Sequence, residues 1–127
     1  MARDRRLPVN ILVVDDDLEL CTMLSRFLER HGYKVHSAQD ALQALDIIDR
    51  HPIGLVLTDY MMPHMDGIRF AETLRADPKN ADLPVILLSA FHSDELADRG
   101  LRRGIAMALP KPIDFNRLLT LVGFAQS

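Results

Sequence analysis

Four short apolar runs in this chain each end in a charged or hydroxyl-bearing residue. Ile11-Leu12-Val13-Val14 runs into Asp15-Asp16-Asp17, and Leu55-Val56-Leu57-Thr58 into Asp59. Val85-Ile86-Leu87-Leu88 runs into Ser89, and Ala106-Met107-Ala108-Leu109 into Pro110-Lys111-Pro112. A short unbroken apolar run, followed by polar groups and then by a helical pattern, reads as a parallel strand buried on both faces with a loop at its carboxyl end. Open α/β sheets form their ligand crevice at that edge. The pattern therefore predicts that Asp15, Asp16, Asp59, Ser89 and Lys111 converge. Acids, a hydroxyl and an ammonium in one place suit phosphoryl chemistry on a carboxylate.

Strand and helix signals alternate five times. Leu20, Met23, Leu24, Phe27 and Leu28 follow the spacing of an amphipathic helix, which Gly32 ends at the C′ position. A second strand spans Tyr33 to Ser37. Ala41, Ala44, Leu45 and Ile48 mark a second helix, and Phe70, Ala71 and Leu74 a third, with Ala76 to Pro84 as a loop. Ser93 can cap a fourth helix ending near Gly104. Asp114 can cap a last helix carrying Phe115, Leu118, Leu119 and Val122. This alternation demands a parallel sheet with right-handed crossovers. Tyr33, Lys34 and His36 make the second strand polar enough for an edge. Pro110 confines the fifth to an edge as well. The expected fold is α/β, a flavodoxin-like (βα)5 doubly wound sheet of strand order 2-1-3-4-5. With 127 residues, the chain is expected to be one domain with a core over about 9–123.

Composition narrows the function. An apolar share of 48% against 26% charged residues argues for a packed core. No apolar stretch approaches the ~20 residues that span a bilayer. The opening Met1-Ala2-Arg3-Asp4-Arg5-Arg6 lacks a signal-peptide apolar region, so a cytoplasmic location is expected. A net charge of −3 gives no electrostatic footprint for nucleic acid. Cys21 is the only cysteine; its helical pattern suggests a buried structural thiol. His31, His36, His51, His64 and His92 show no metal-ligand spacing, and the six methionines read as core filler.

The acidic run needs more than a helix cap. Asp17 can serve as one, but two further acids at a buried strand end repel each other unless a cation is present. Oxygen-only ligands suit Mg²⁺. Asp59 by itself is an ordinary turn residue, and the strand placement beside the Asp pair is what changes its reading. Lys111, held between two prolines, can pair with a carboxylate and hold its place until a phosphoryl oxygen arrives.

These motifs in this order resemble the receiver domain of two-component response regulators of the chemotaxis-regulator type. The resemblance rests on Ile11 to Asp17, on Thr58-Asp59-Tyr60-Met61-Met62-Pro63-His64-Met65-Asp66-Gly67, on Pro84 to Ala90 and on Lys111-Pro112. It implies that Asp59 is the phosphoacceptor and that Mg²⁺ is held by Asp16 and Asp59 directly, by Asp15 largely through water and by the Met61 backbone carbonyl. It implies that Ser89 and Lys111 contact the phosphoryl group, and that the Lys111-Pro112 bond is cis. The implied partners are a histidine kinase or histidine phosphotransfer protein and an unknown downstream protein, with no nucleic acid or membrane. Catalysis would be limited to the domain's own phosphorylation and dephosphorylation.

The chain departs from that family at the output end. Ala108 stands where members usually carry an aromatic that swings inward, and Ala106 and Met107 replace an acidic pair, so the signal is expected to leave through a mobile fourth helix over 93–104. Alternatives are a phosphorylation-silent interaction module, or a receiver fragment of a hybrid kinase or larger regulator. A Mg²⁺-dependent phosphatase needs an acid two residues after the nucleophile, where this chain has Met61.

Overall fold

The structure is a computed structural model that describes residues 9–90 and 105–125. Five parallel strands form one sheet in the order β2-β1-β3-β4-β5. They are β1 (Asn10–Val14), β2 (Lys34–Ala38), β3 (Leu55–Asp59), β4 (Val85–Ser89) and β5 (Met107–Pro110). Four helices are described: α1 (Leu18–Arg30), α2 (Ala41–Arg50), α3 (Gly67–Ala76) and the C-terminal α4 (Phe115–Ala125). The fold is the expected flavodoxin-like one. The helix expected from Ser93 to Gly104, with Phe91, His92, Arg99, Gly100, Arg102 and Arg103, lies outside the described residues.

Strand alternation divides the core in two. Leu12, Val14, Val56, Val85 and Leu87 pack on one side with Ala41, Ala44, Ile68, Phe70, Ala71 and Leu74 from α2 and α3. Their neighbours Ile11, Val13, Leu55, Leu57, Ile86 and Leu88 pack on the other side with Cys21, Leu24, Leu28, Leu118 and Val122 from α1 and α4. Successive residues of a strand face opposite ways, so an unbroken apolar run fills both layers. Burying one such side chain contributes about 1.5–3 kcal/mol.

Caps place the helices. Asp17 accepts from the Leu20 amide at 3.2 Å, Asp40 from Gln43 at 2.8 Å, Asp66 from Arg69 at 2.8 Å and Asp114 from Arg117 at 3.1 Å. Each satisfies an amide that the first helical turn leaves without a backbone partner. Gly32 sits past the end of α1 at φ +90, a left-handed conformation that favours glycine.

Two expectations need correction. The loop from Ala76 to Pro84 contains a 3₁₀ turn at Pro78–Asn80, which Asp77 caps through the Lys79 amide. The methionines are not all core: Met23 is 49% exposed and Met61 57% exposed. Met23 lies at the edge of the α1 stripe, whose buried residues are Cys21, Leu24 and Leu28.

Candidate functional site

The parallel register carries the acids to one edge. Val14 lies opposite Thr58, Asp59 opposite Leu88, and Ser89 opposite Pro110. The residues after β1 and β5, and the last residues of β3 and β4, therefore share the carboxyl edge of the sheet. Carboxylate oxygens of Asp15, Asp16 and Asp59 lie within 4.8 Å of one another, the one such group among the described residues. Lys111 Nζ donates to Asp15 Oδ2 at 2.7 Å and lies 3.2 Å from Asp59 Oδ1.

Asp15 and Asp16 have different surroundings. Asp15 is fully buried. Its Oδ1 accepts from the Asp17 amide at 2.9 Å and its Oδ2 from Lys111. Its own amide donates to the Ala38 carbonyl at 3.0 Å, and the Cys21 thiol, 3.3 Å away, donates to its carbonyl. Asp15 is thus occupied on every side, whereas Asp16 is exposed and turned to solvent. Cys21 is the buried structural thiol expected; burial and the nearby Asp15 carboxylate push its pKa up to about 11.

Asp59 is almost buried, at 7% exposure. Burial raises its pKa and the Asp15 charge raises it further, while the Lys111 ammonium opposes both. Burial works against the Lys111 ammonium too, but its hydrogen bond to Asp15 and the Asp59 charge outweigh that and hold its pKa above the ordinary value. One ammonium among three carboxylates leaves excess negative charge. This donor set fits a hard divalent cation.

Ser89 is buried at the end of β4, and its carbonyl accepts from the Lys111 amide at 2.8 Å. That bond ties the lysine's backbone to the β4 edge, and the Lys111-Pro112 peptide is cis, as expected. Met61 stands exposed in the loop after Asp59. Ala108 pairs in register with Leu87 and is exposed, so no aromatic ring occupies that stretch of β5.

Thr58 at the end of β3 and Gly67 at the start of α3 both meet the Asp59 backbone carbonyl. The fully buried Thr58 donates its hydroxyl to the Asp59 carbonyl at 3.0 Å and lies 3.5 Å from the Met62 sulfur. Gly67 opens α3 directly against the same carbonyl. A Cβ there would collide with the Asp59 carbonyl oxygen and come within 2.9 Å of Leu87 Cδ1. The signal available in sequence was a glycine at N1 of a helix, after a capping acid, where helices seldom place one. In the same loop His64 adopts φ 77, and its Nε2 lies 3.9 Å from Asp40, the α2 cap.

A family model described as the response regulator receiver domain matches residues 11–123. Response regulator MprA of Mycobacterium sp. (strain KMS) is 41% identical over 113 residues, 89% of this chain and 48% of that protein. Transcriptional regulatory protein ZraR of Klebsiella oxytoca is 40% identical over 114 residues, 89% of this chain and 25% of that protein. The chain spans about half or less of these curated relatives. Among solved structures, chemotaxis response regulator CheY4 of Vibrio cholerae superposes with a TM-score of 0.88 at 27% identity, covering 93% of this chain and 98% of that one. The Francisella response regulator 1452 receiver domain gives 0.86 at 32% identity, covering 93% and 96%. The five-stranded order agrees with these structures, and the family match covers nearly all of the chain: it belongs to the response regulator receiver domain family of two-component signalling.

Proposed function

We propose that Asp59 accepts a phosphoryl group from a phosphohistidine of a histidine kinase or histidine phosphotransfer protein. The observation that carries this is the shared ammonium: Lys111 bridges Asp15 and Asp59 at the mouth of the sheet, within the three-carboxylate cluster. An Asp59 oxygen attacks phosphorus, the phosphorus–nitrogen bond breaks, and the imidazole leaves with its electron pair and takes up a proton from water. Carboxylate is a weak nucleophile, so the rate comes from positioning and from neutralising charge on the phosphoryl oxygens.

Asp16, Asp59 and the Met61 carbonyl would hold Mg²⁺, with Asp15 acting through water. Bound there, Mg²⁺ supplies charge neutralisation to the phosphoryl oxygens. Lys111 exchanges its contact with Asp59 for one with the phosphoryl group, while Asp15 keeps it in place. Ser89 donates its hydroxyl to a phosphoryl oxygen. Asp59, whose pKa is raised by burial and by the Asp15 charge, gains from each positive charge that approaches.

We infer that residues 1–127 form a single receiver domain with its core over about 9–123, acting in the cytoplasm on a downstream protein through a conformational change. No helix among the described residues is long and apolar enough to cross a membrane. The domain's own phosphorylation and dephosphorylation are the only reactions it would catalyse.

The test is incubation with a small-molecule phosphodonor and Mg²⁺, read by intact mass. One acid-stable, base-labile phosphate is expected on wild type and none on Asp59→Asn. An undiminished phosphate on Asp59→Asn would remove the assignment.

A further inference from the structure

Away from the carboxyl edge, two imidazoles face each other. His36 lies on the edge strand β2, in register with Leu12 of β1. His51 is the C-cap of α2; its amide donates to the Ile47 carbonyl at 2.9 Å and its carbonyl accepts from Ile53 at 2.9 Å. The sheet ladder fixes one backbone and the cap fixes the other. The rings stack with centroids 4.4 Å apart and planes 29° from parallel. Among the described residues, neither ring takes part in a hydrogen bond or an ion pair.

We propose that His36 and His51 form a bis-imidazole site for a borderline transition-metal ion of the Zn²⁺, Cu²⁺ or Ni²⁺ class. Imidazole nitrogen suits these ions, whereas Mg²⁺ takes oxygen. Two ring nitrogens on one ion, each at about 2.0–2.1 Å, stand roughly 3 Å apart. The rings stand 4.4 Å apart in a stack, so one ion shared by both requires the side chains to turn out of the stack and bring their in-plane nitrogens together. Turning gives up the ring stack but, among the described residues, no hydrogen bond or ion pair of either ring. Access is open: His36 also lines a shallow surface cavity of about 460 Å³ with Glu29, Tyr33, Lys34 and Val35, and His51 is exposed. Water fills the remaining coordination positions, as in open zinc sites. The nearby Lys34 ammonium opposes the bound charge, so the site is of moderate affinity. Metal there ties the end of α2 to the sheet edge, and binding to the folded state alone raises Tm.

The probe is Zn²⁺, titrated calorimetrically into the whole chain at neutral pH with Mg²⁺ in large excess to fill the carboxylate cluster. Wild type is expected to take up one equivalent and to gain Tm. His36→Gln and His51→Gln are each expected to weaken binding tenfold or more and to abolish the Tm gain, while His31→Gln changes neither. In wild type, without any substitution, substoichiometric Cu²⁺ is expected to broaden the His36 and His51 ring resonances before those of His31 or His64. Absence of binding to wild type, unchanged affinity in either variant, or broadening centred on another histidine overturns the proposal. None of these readouts depends on phosphorylation of Asp59.

Discussion

Lys111 is held more closely by Asp15 than by Asp59: its ammonium nitrogen lies 2.7 Å from the first carboxylate and 3.2 Å from the second. Asp15 is the more deeply buried of the two and comes from β1's end, while Lys111 comes from β5's. In the proposed reaction the closer pair would serve as an anchor, and the looser one would be the contact that a phosphoryl oxygen replaces. Lys111→Met leaves Asp15 charged, buried and short of one partner, which costs about 3 kcal/mol. Urea denaturation should show that loss, and it should be smaller in Asp15→Asn/Lys111→Met than the sum of the two single changes.

Asp59 is expected to destabilise the metal-free fold at neutral pH. Burial and Asp15 raise its pKa above the ordinary 3.8. A raised carboxyl contributes stability that is complete below the unfolded value and is lost as pH rises through the folded value. Asp59→Asn removes that loss and keeps an acceptor for Lys111. With chelator present, its Tm should exceed wild type at pH 7, and the difference should vanish below pH 3.8. Equal Tm values at pH 7 would contradict the electrostatic reading of the site.

Neighbouring acids should separate by what they affect. Asp17 caps α1 through the Leu20 amide, so Asp17→Ala should cost about 1 kcal/mol of stability and leave Mg²⁺ affinity nearly unchanged. Asp16 is exposed, so Asp16→Ala should leave stability within about 0.5 kcal/mol and greatly weaken Mg²⁺ binding. The chain has no tryptophan, so calorimetry suits the metal titration. Equal losses of affinity in the two variants would show the acidic run to be misassigned.

Gly67→Ala should damage both fold and phosphorylation. The added methyl meets a backbone carbonyl, which cannot move aside as a side chain can. Overpacking of this kind costs about 1–3 kcal/mol, and here the displaced group is the carbonyl of Asp59 itself. The rate of phosphate incorporation should fall even at temperatures where circular dichroism shows the variant fully folded. Gly32→Ala, strained at φ +90 but remote from the site, should lose stability and keep the rate.

Met61 is exposed beside Asp59 and offers no group that orients water. Met61→Asn should therefore speed loss of the phosphoryl group, measured as the decay of phosphoprotein after the donor is removed. An unchanged decay rate would remove Met61 from the path of the attacking water.

Much of this was legible in the amino-acid order. Unbroken apolar runs can be buried only on both faces, so the runs ending at Val14, Thr58 and Leu88 specified central strands, and the polar His36 and the Pro110 ring specified edges. Strand ends then carried Asp15, Asp16, Asp59, Ser89 and Lys111 to one side, because parallel strands finish at the same edge. The division of labour inside that cluster depended on tertiary structure. Asp15 and Asp16 are adjacent and chemically identical, yet one is buried against Lys111 and Ala38 while the other faces water, a difference created by packing between β1, β2 and β5. The collision that requires glycine at position 67 depends on how closely α3 approaches β3. The facing of His36 and His51 likewise depends on where the end of α2 lands on the sheet. Local sequence sets what each segment can bury and where it stops; which side chains then meet across segments is set by the distances between packed elements, and no periodicity within one segment contains them.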